Sequence, residues 1–208
     1  MAPRRDAVRN RATLTRAAAE VFREHGADAP LDLVARRAGL GRGTLYRHFP
    51  DRGALLVTLI EDRFETLDRF AATYPDDDLV ERLLVEICGL LGDVPGLMGA
   101  VQGLPSAAER LSDVTDRTSA LLGSALERAQ RAGLVRSDVG LGHLLATFAM
   151  FDGAVLAGAQ VPDTDFPRLA LELTLRGLRP HLRADAAVPE RRIPFPVPEM
   201  GIQDGAGG

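Results

Sequence analysis

Between residues 31 and 49 the chain reads LDLVARRAGLGRGTLYRHF, and the interval from Ala35 to Gly39 constrains the fold more than any other stretch. Two helices that cross closely need a small side chain midway along the first, and the turn four residues later needs a residue at ease with positive φ. Val34, Ala38, Leu40 and Leu45 supply apolar contacts that lock such a pair onto a third helix. The outward positions, Arg36, Arg37, Arg42, Thr44, Tyr46, Arg47 and His48, are rich in donors suited to phosphates and base edges. The segment therefore predicts a helix-turn-helix whose second helix faces a nucleic acid.

The rest of the chain is punctuated as helix. No run alternates apolar and polar residues between turns, so the predicted fold class is all-α, with about nine helices. A first helix over 7–25 carries Val8, Leu14, Ala18, Val21 and Phe22 on one face, and Gly26 stands as its left-handed stop. Pro30 suits the first turn of a helix over 31–38, with Asp28 as cap, and the third helix covers 42–48. Pro50 and Asp51 break the chain before a long fourth helix over 52–73, with Leu55, Leu56, Leu59, Ile60, Phe64, Leu67 and Phe70 on its inner stripe. A fifth helix begins at Leu79 and ends at the turn Asp93-Val94-Pro95-Gly96. A short helix over 97–102 follows, then a capping box, Ser106-Ala107-Ala108-Glu109, that opens a seventh helix ending near Gly133. The last two helices are placed at 140–160 and 166–179, the latter with Pro167 in its first turn. These divide the chain into a helix-turn-helix domain (1–51), a helical ligand-binding and dimerisation domain (52–183) and a disordered tail (184–208), whose prolines and glycines bury too little to offset ordering entropy.

Charge follows the same division. Residues 1–52 hold 11 arginines and 6 acids, whereas residues 53–208 hold 14 arginines and 23 acids, so a net charge of −4 conceals a basic head on an acidic body. Polyanion contact belongs to the head, and the body steers it by repulsion. The one cysteine, Cys88, excludes an internal disulfide and reads as core packing; with no zinc spacing or secretion signal, a cytoplasmic setting follows, with no metal and no cofactor. The apolar stretch 139–161 is long enough to span a bilayer, but Asp152 near its centre costs about 2.5–3.5 kcal/mol there and no basic cluster flanks it, so it reads as a bundle helix buried on nearly all sides, with no membrane partner. His25, His48, His143 and His181 are scattered, with no zinc-protease motif, nucleophile elbow or phosphate loop, which argues against an enzyme.

The motif G-x-G-T-L-Y-R-H-F-P-x-R, opened by Gly41 and closed by Arg52, resembles the N-terminal domain of the tetracycline-repressor-like (TetR) transcriptional regulators, a likeness covering roughly residues 8–60. The resemblance implies that helix 42–48 enters a major groove. Arg42 and Thr44 would then reach bases, Gly43 would let the backbone approach, Tyr46 and His48 would grip phosphate, Arg47 could do either, and Arg52 would meet a phosphate; Arg36 is a further DNA candidate. This chain departs from the family at Pro30 and Leu31, where a hydroxyl often bonds phosphate, and Asp32 stands near a position that can accept from cytosine N4.

The resemblance also implies a homodimer on double-stranded operator DNA and an unidentified small-molecule effector. Ala146, Ala149, Gly153 and Ala157 step along one side of the eighth helix, and with Leu169 and Leu173 of the ninth they form the candidate dimer seam. The candidate ligand residues are Leu67, Ile87, Met98, Gln102, Leu122, Thr147, Phe148, Phe151 and Asp152, a lining that favours apolar or mildly cationic compounds. The expected function is a homodimeric repressor released from a palindromic operator by its effector. The alternatives are an activator of the same fold, a regulator triggered by a protein, and an all-α protein-binding adaptor.

Overall fold

Glycine placement sets the ends of the first two helices. In the computed structural model, which describes residues 2–102, 108–161 and 163–180, α1 (Ala2–His25) stops just before Gly26 and α2 (Leu31–Arg37) ends two residues before Gly39, with φ of 78° and 66° at the two glycines. At Gly39 the Leu40 N–H donates to Ala35 O at 3.0 Å, which satisfies a carbonyl that the helix end would leave bare. The first helix starts earlier than its periodicity predicts, because Pro3 lies in the first turn, where a missing N–H costs nothing. Asp28 does not cap α2; the cap position is Pro30 and no side chain accepts there.

The remaining elements are α3 (Arg42–His48), α4 (Arg52–Thr73), α5 (Leu79–Asp93), α6 (Leu97–Gln102), α7 (Ala108–Arg131), α8 (Leu141–Gly158) and α9 (Phe166–Leu178), with no strand among the described residues. The Asp51 carboxylate accepts from the Ala54 N–H at 2.8 Å and so starts α4. Asp165 caps α9 in the same way, through Arg168 N at 3.1 Å, with Pro167 in the first turn. Gly133, with φ of 72°, ends α7 as expected. The predicted capping box at 106–109 lies partly, and the tail at 184–208 wholly, outside the described residues.

Leu14, Ala18, Val21 and Phe22 of α1 meet Val34 and Ala35 of α2, Leu45 of α3 and Phe49, all buried, and this small core is completed by Leu55 and Leu56 from the first turns of α4. The same helix carries Phe64 and Leu67 into the body, where α5, α7 and α8 contribute Leu83, Leu84, Cys88, Leu122 and Leu144. Burial pushes the Cys88 thiol up to about 12. Two inner-stripe expectations do not hold. Val8 is 68 % exposed, and Phe70 lies outside the core, its ring 5.0 Å from that of Tyr74.

The eighth helix departs furthest from expectation. It is long and apolar enough to cross a membrane, yet only 22 % of it is buried, so it is not enclosed on nearly all sides. Leu144, Phe148, Phe151 and Val155, spaced by four, three and four residues, pack against α5 and α9, while Leu145, Met150 and Leu156 stay exposed on the opposite side.

Gly39 and Gly43 separate conformation from space, since a Cβ built at either meets nothing within 4 Å. Gly39→Ala should destabilise by about 1–2 kcal/mol, the cost of a Cβ in left-handed backbone. Gly43→Ala, inside α3, should be neutral or stabilise by up to about 1 kcal/mol. Equal changes in denaturant midpoint for the two variants would contradict this assignment.

Candidate nucleic-acid interface

A seven-residue helix presents two faces here. Leu45 and Phe49 point into the head core, and Arg42, Gly43, Tyr46 and Arg47 stand exposed on the far side, with Tyr46 at 49 % exposure. Thr44 and His48 lie at the margins, half-buried. A short rod with one side anchored and the other carrying two guanidiniums, a phenol and a bare backbone can enter a groove.

The arginines are not equivalent. Arg42 forms an ion pair with Asp32 across the turn, Nη2 to Oδ2, so the carboxylate that sequence placed near the bases instead holds the guanidinium of the neighbouring helix. Arg36 is exposed on α2. Arg37 is committed elsewhere: it donates to Glu24 at 2.6 and 3.0 Å and to Glu20 at 3.2 Å, clamping α2 to α1 and, chiefly through that hydrogen bond, lowering the Glu24 carboxyl. Arg52 also turns inward, its Nη1 donating to Ala27 O at 2.5 Å and Ala29 O at 2.7 Å. Those carbonyls belong to the loop between α1 and α2, and a charged donor holding both of them ties that loop to the start of α4. In this structure Arg52 Nη1 is thus spent on bracing that loop.

His48 stands half-buried at the end of α3. Its Nε2 is buried without a hydrogen-bond partner, so that atom is not offered to a phosphate. Burial first, then the charges of Arg47 and Arg11, hold the imidazole below the ordinary histidine value. Arg11, the smallest of these three influences on the imidazole, escaped the sequence reading. Its guanidinium lies 4.6 Å over the Phe49 ring, donates weakly to His48 O at 3.4 Å, and bonds Thr58 Oγ1 at 3.1 Å. Thr58 also accepts from Arg110 of α7 at 3.1 Å, so a polar chain runs from α7 through α4 and α1 to the end of α3. An arginine on an arginine-rich helix carries no local signal of such a role.

The candidate ligand residues do not gather around one cavity. Leu67, Leu122, Thr147, Phe148 and Phe151 are buried, Ile87 is half-buried, Met98 is exposed, and the Gln102 side chain lies outside the described residues. Of these only Phe151 lines a described cavity, a cleft of about 460 Å³ between α5, α8 and α9. Leu67, Leu122 and Phe148 belong instead to the packed interior, which is what apolar side chains on converging helices do when nothing separates them. Asp152 is the exception: its Oδ1 is buried and unpartnered, and desolvation pushes its carboxyl up.

Most of the candidate dimer residues are open to solvent. Ala146, Ala149 and Gly153 are exposed, Ala157 is half-buried beside them, and Leu169 and Leu173 project from α9 with Leu173 at 70 % exposure. Among the described residues no group of His, Cys, Asp or Glu side chains could hold a metal ion.

Known proteins share the fold and stretches of the sequence. Residues 14–59 match the family described as "Bacterial regulatory proteins, tetR family", and residues 77–180 match "Transcriptional regulator SbtR-like, C-terminal domain". The HTH-type transcriptional regulator SAB2452 of Staphylococcus aureus (strain bovine RF122 / ET3-1) is 36 % identical over 64 residues, 30 % of this chain and 35 % of that protein. The chain thus spans about a third of the length of the curated relatives it matches. Among solved structures, the TetR transcriptional regulator SCO0520 of Streptomyces coelicolor superposes with a TM-score of 0.58 at 27 % identity, covering 83 % of this chain and 99 % of that one. The TetR transcription regulatory protein of Mycobacterium vanbaalenii gives 0.50 at 30 % identity, covering 85 % and 98 %.

The His48 environment has a pH signature. Because its folded pKa lies below the ordinary 6.5, the unfolded chain takes up the proton first. This contribution is fully present above 6.5, is lost as pH falls towards the folded value, and levels off below it. In His48→Gln the loss of stability on acidification below 6.5 should be shallower than in the parent, measured by urea unfolding across pH; superimposable slopes would exclude His48 as its source.

Proposed function

The chain belongs to the TetR family of bacterial transcriptional regulators, a family of DNA-binding proteins and not of enzymes, and on that premise we propose that it is a cytoplasmic homodimeric repressor that reads a palindromic operator and leaves it when a small molecule binds. The observation that carries this reading is the divided α3, anchored by Leu45 and Phe49 and exposing Arg42, Gly43, Tyr46 and Arg47. Arg42, released from or oriented by Asp32, grips guanine O6 and N7, while Thr44 offers a hydroxyl or a methyl to a neighbouring pair. Tyr46 and Arg47 hold phosphates and fix register, with Arg36 beside them. Behind this surface Arg11 braces the end of the rod through the His48 carbonyl, and Arg52 holds the loop before α2.

Dimerisation follows from the open flank of α8 and α9. Small residues at 146, 149, 153 and 157 let a partner helix approach, and Leu145, Met150, Leu156, Leu169 and Leu173 supply exposed apolar area to bury. Two heads then address half-sites about one helical turn apart, roughly 34 Å, or a multiple of it. Release requires an effector that prefers the state with misplaced heads, and moving the balance from about 1:99 to 99:1 takes about 5.5 kcal/mol of differential affinity. The unpartnered Asp152 oxygen favours a compound with a donor or positive group, and α4, shared by the two cores, is the lever.

Sequencing DNA fragments retained by the purified protein should return an inverted repeat; an unstructured collection would overturn the operator reading. Arg42→Ala should relax preference at one base pair per half-site by about 1–3 kcal/mol, whereas Tyr46→Phe should weaken all sequences alike. Indistinguishable profiles would reject this division of roles. For the dimer, Leu173→Glu should leave helical content unchanged and shift the light-scattering mass from twice the chain mass to once; a parent that is already monomeric at micromolar concentration would remove the interface.

A further inference from the structure

On the outer side of the head, α1, α4 and the end of α5 enclose a groove of about 610 Å³. Residues on one face of α1 form a wall: Val8, Ala12, Arg16, Ala19 and Arg23 recur every three or four positions, so the small side chains alternate with long basic ones. Ala12 and Ala19 leave the trough, with Leu59, Leu90 and Val94 opposite as an apolar floor. Four arginines line the groove, Arg11, Arg16, Arg23 and Arg63, against two carboxylates, Asp62 and Asp93.

Arg16 and Arg23 make no hydrogen bond or contact ion pair among the described residues, although Arg23 lies near enough to Glu24 to favour its charged form. Arg63 is only partly satisfied. Its Nη2 donates to Glu86 at 2.7 Å, but its Nε is buried with no partner, and a buried N–H left bare is unfavourable. Burial and then Glu65 push the Asp62 carboxyl up. An apolar trough edged by uncommitted guanidiniums is complementary to a molecule that joins a hydrocarbon portion to an acid group.

We propose that this groove is a binding site for an amphiphilic carboxylate or phosphate, its apolar portion along Ala12 and Ala19 and its acid group held by Arg16, Arg23 and Arg63. The site lies outside the body interior to which the effector was assigned. It also carries a route to the DNA surface: Arg11 lines the same groove while bonding Thr58 and bracing the end of α3 through His48 O. An acid group that draws Arg11 off Thr58 loosens that brace. This last step alone rests on α3 being the DNA reader.

The test uses decanoate titrated into the full-length protein without DNA, followed by calorimetry, with decyltrimethylammonium as the oppositely charged control. Saturable binding of decanoate at one site per chain is expected, with the cationic amphiphile binding far more weakly. Arg16→Ala with Arg23→Ala should reduce decanoate affinity roughly tenfold or more, the scale of a lost charge-assisted contact. Ala19→Leu, which fills the trough without touching a charge, should reduce it comparably. Both variants should keep the parent melting temperature; one that loses it is replaced by Arg16→Gln with Arg23→Gln, or by Ala12→Leu for the trough, each of which should lower affinity to a similar extent. No saturable binding, equal binding of the two amphiphiles, or parental affinity in the folded variants would overturn the site. Because no DNA is present, a failure of the operator reading leaves this outcome untouched. Added decanoate should then lower retention of the parent on its selected DNA but not that of Ala19→Leu, and unchanged retention of the parent would overturn the coupling to α3.

Discussion

Everything in this molecule depends on α4 belonging to two cores at once. Its first turns carry Leu55 and Leu56 against α1, α2 and α3, and further along Leu67 packs in the body, with Phe64 buried under the Arg117 guanidinium. Protein interiors are dense enough that such a helix cannot slide or tilt at one end without disturbing the other. A three-helix head of this size would otherwise bury too little surface to hold its geometry. Sharing α4 gives the head rigidity and makes its orientation answer to whatever the body does.

Hydrogen bonds at the junction reinforce this mechanical link. Arg52 holds the loop before α2 through two carbonyls, the Ala27 N–H donates to Pro95 O at 3.0 Å, and Thr58 receives guanidiniums from both α1 and α7. Charged donors on carbonyls or hydroxyls are stronger and more directional than apolar contacts, so they choose one arrangement among those that packing permits. The basic surface of the head is thus two populations of arginine, one facing outward and one spent on internal braces.

The sequence made the first population legible and concealed the second. Helices α3 and α4 fall on their predicted residues, 42–48 and 52–73, because Gly41, Pro50 and Asp51 act locally, through backbone conformation and a cap. Gly26, Gly39 and Gly133 were readable for the same reason. Arg52, His48 and Arg11 were not, since what each touches lies up to 47 residues away and depends on how helices cross. Likewise the apolar run at α8 revealed a helix but not which flank it leaves open, because residues hydrophobic all round carry no moment to read. Of the candidate ligand residues, Leu67, Leu122, Phe148 and Phe151 were legible as buried apolar side chains, whereas which of them face a shared space depends on packing, which composition does not encode.

Cys88 lies at zero exposure on α5, in the layer that α4, α7 and α8 cover, with its thiol pushed up to about 12. A thiol so placed is inert towards alkylating reagents until the helices above it part, since the thiolate is the reactive form and the reagent must also reach it. As the chain's single cysteine it makes the unmodified protein its own stopwatch. The rate at which it is labelled counts spontaneous openings of the body, and any compound that wedges into or seals that interior changes the count without a probe being introduced.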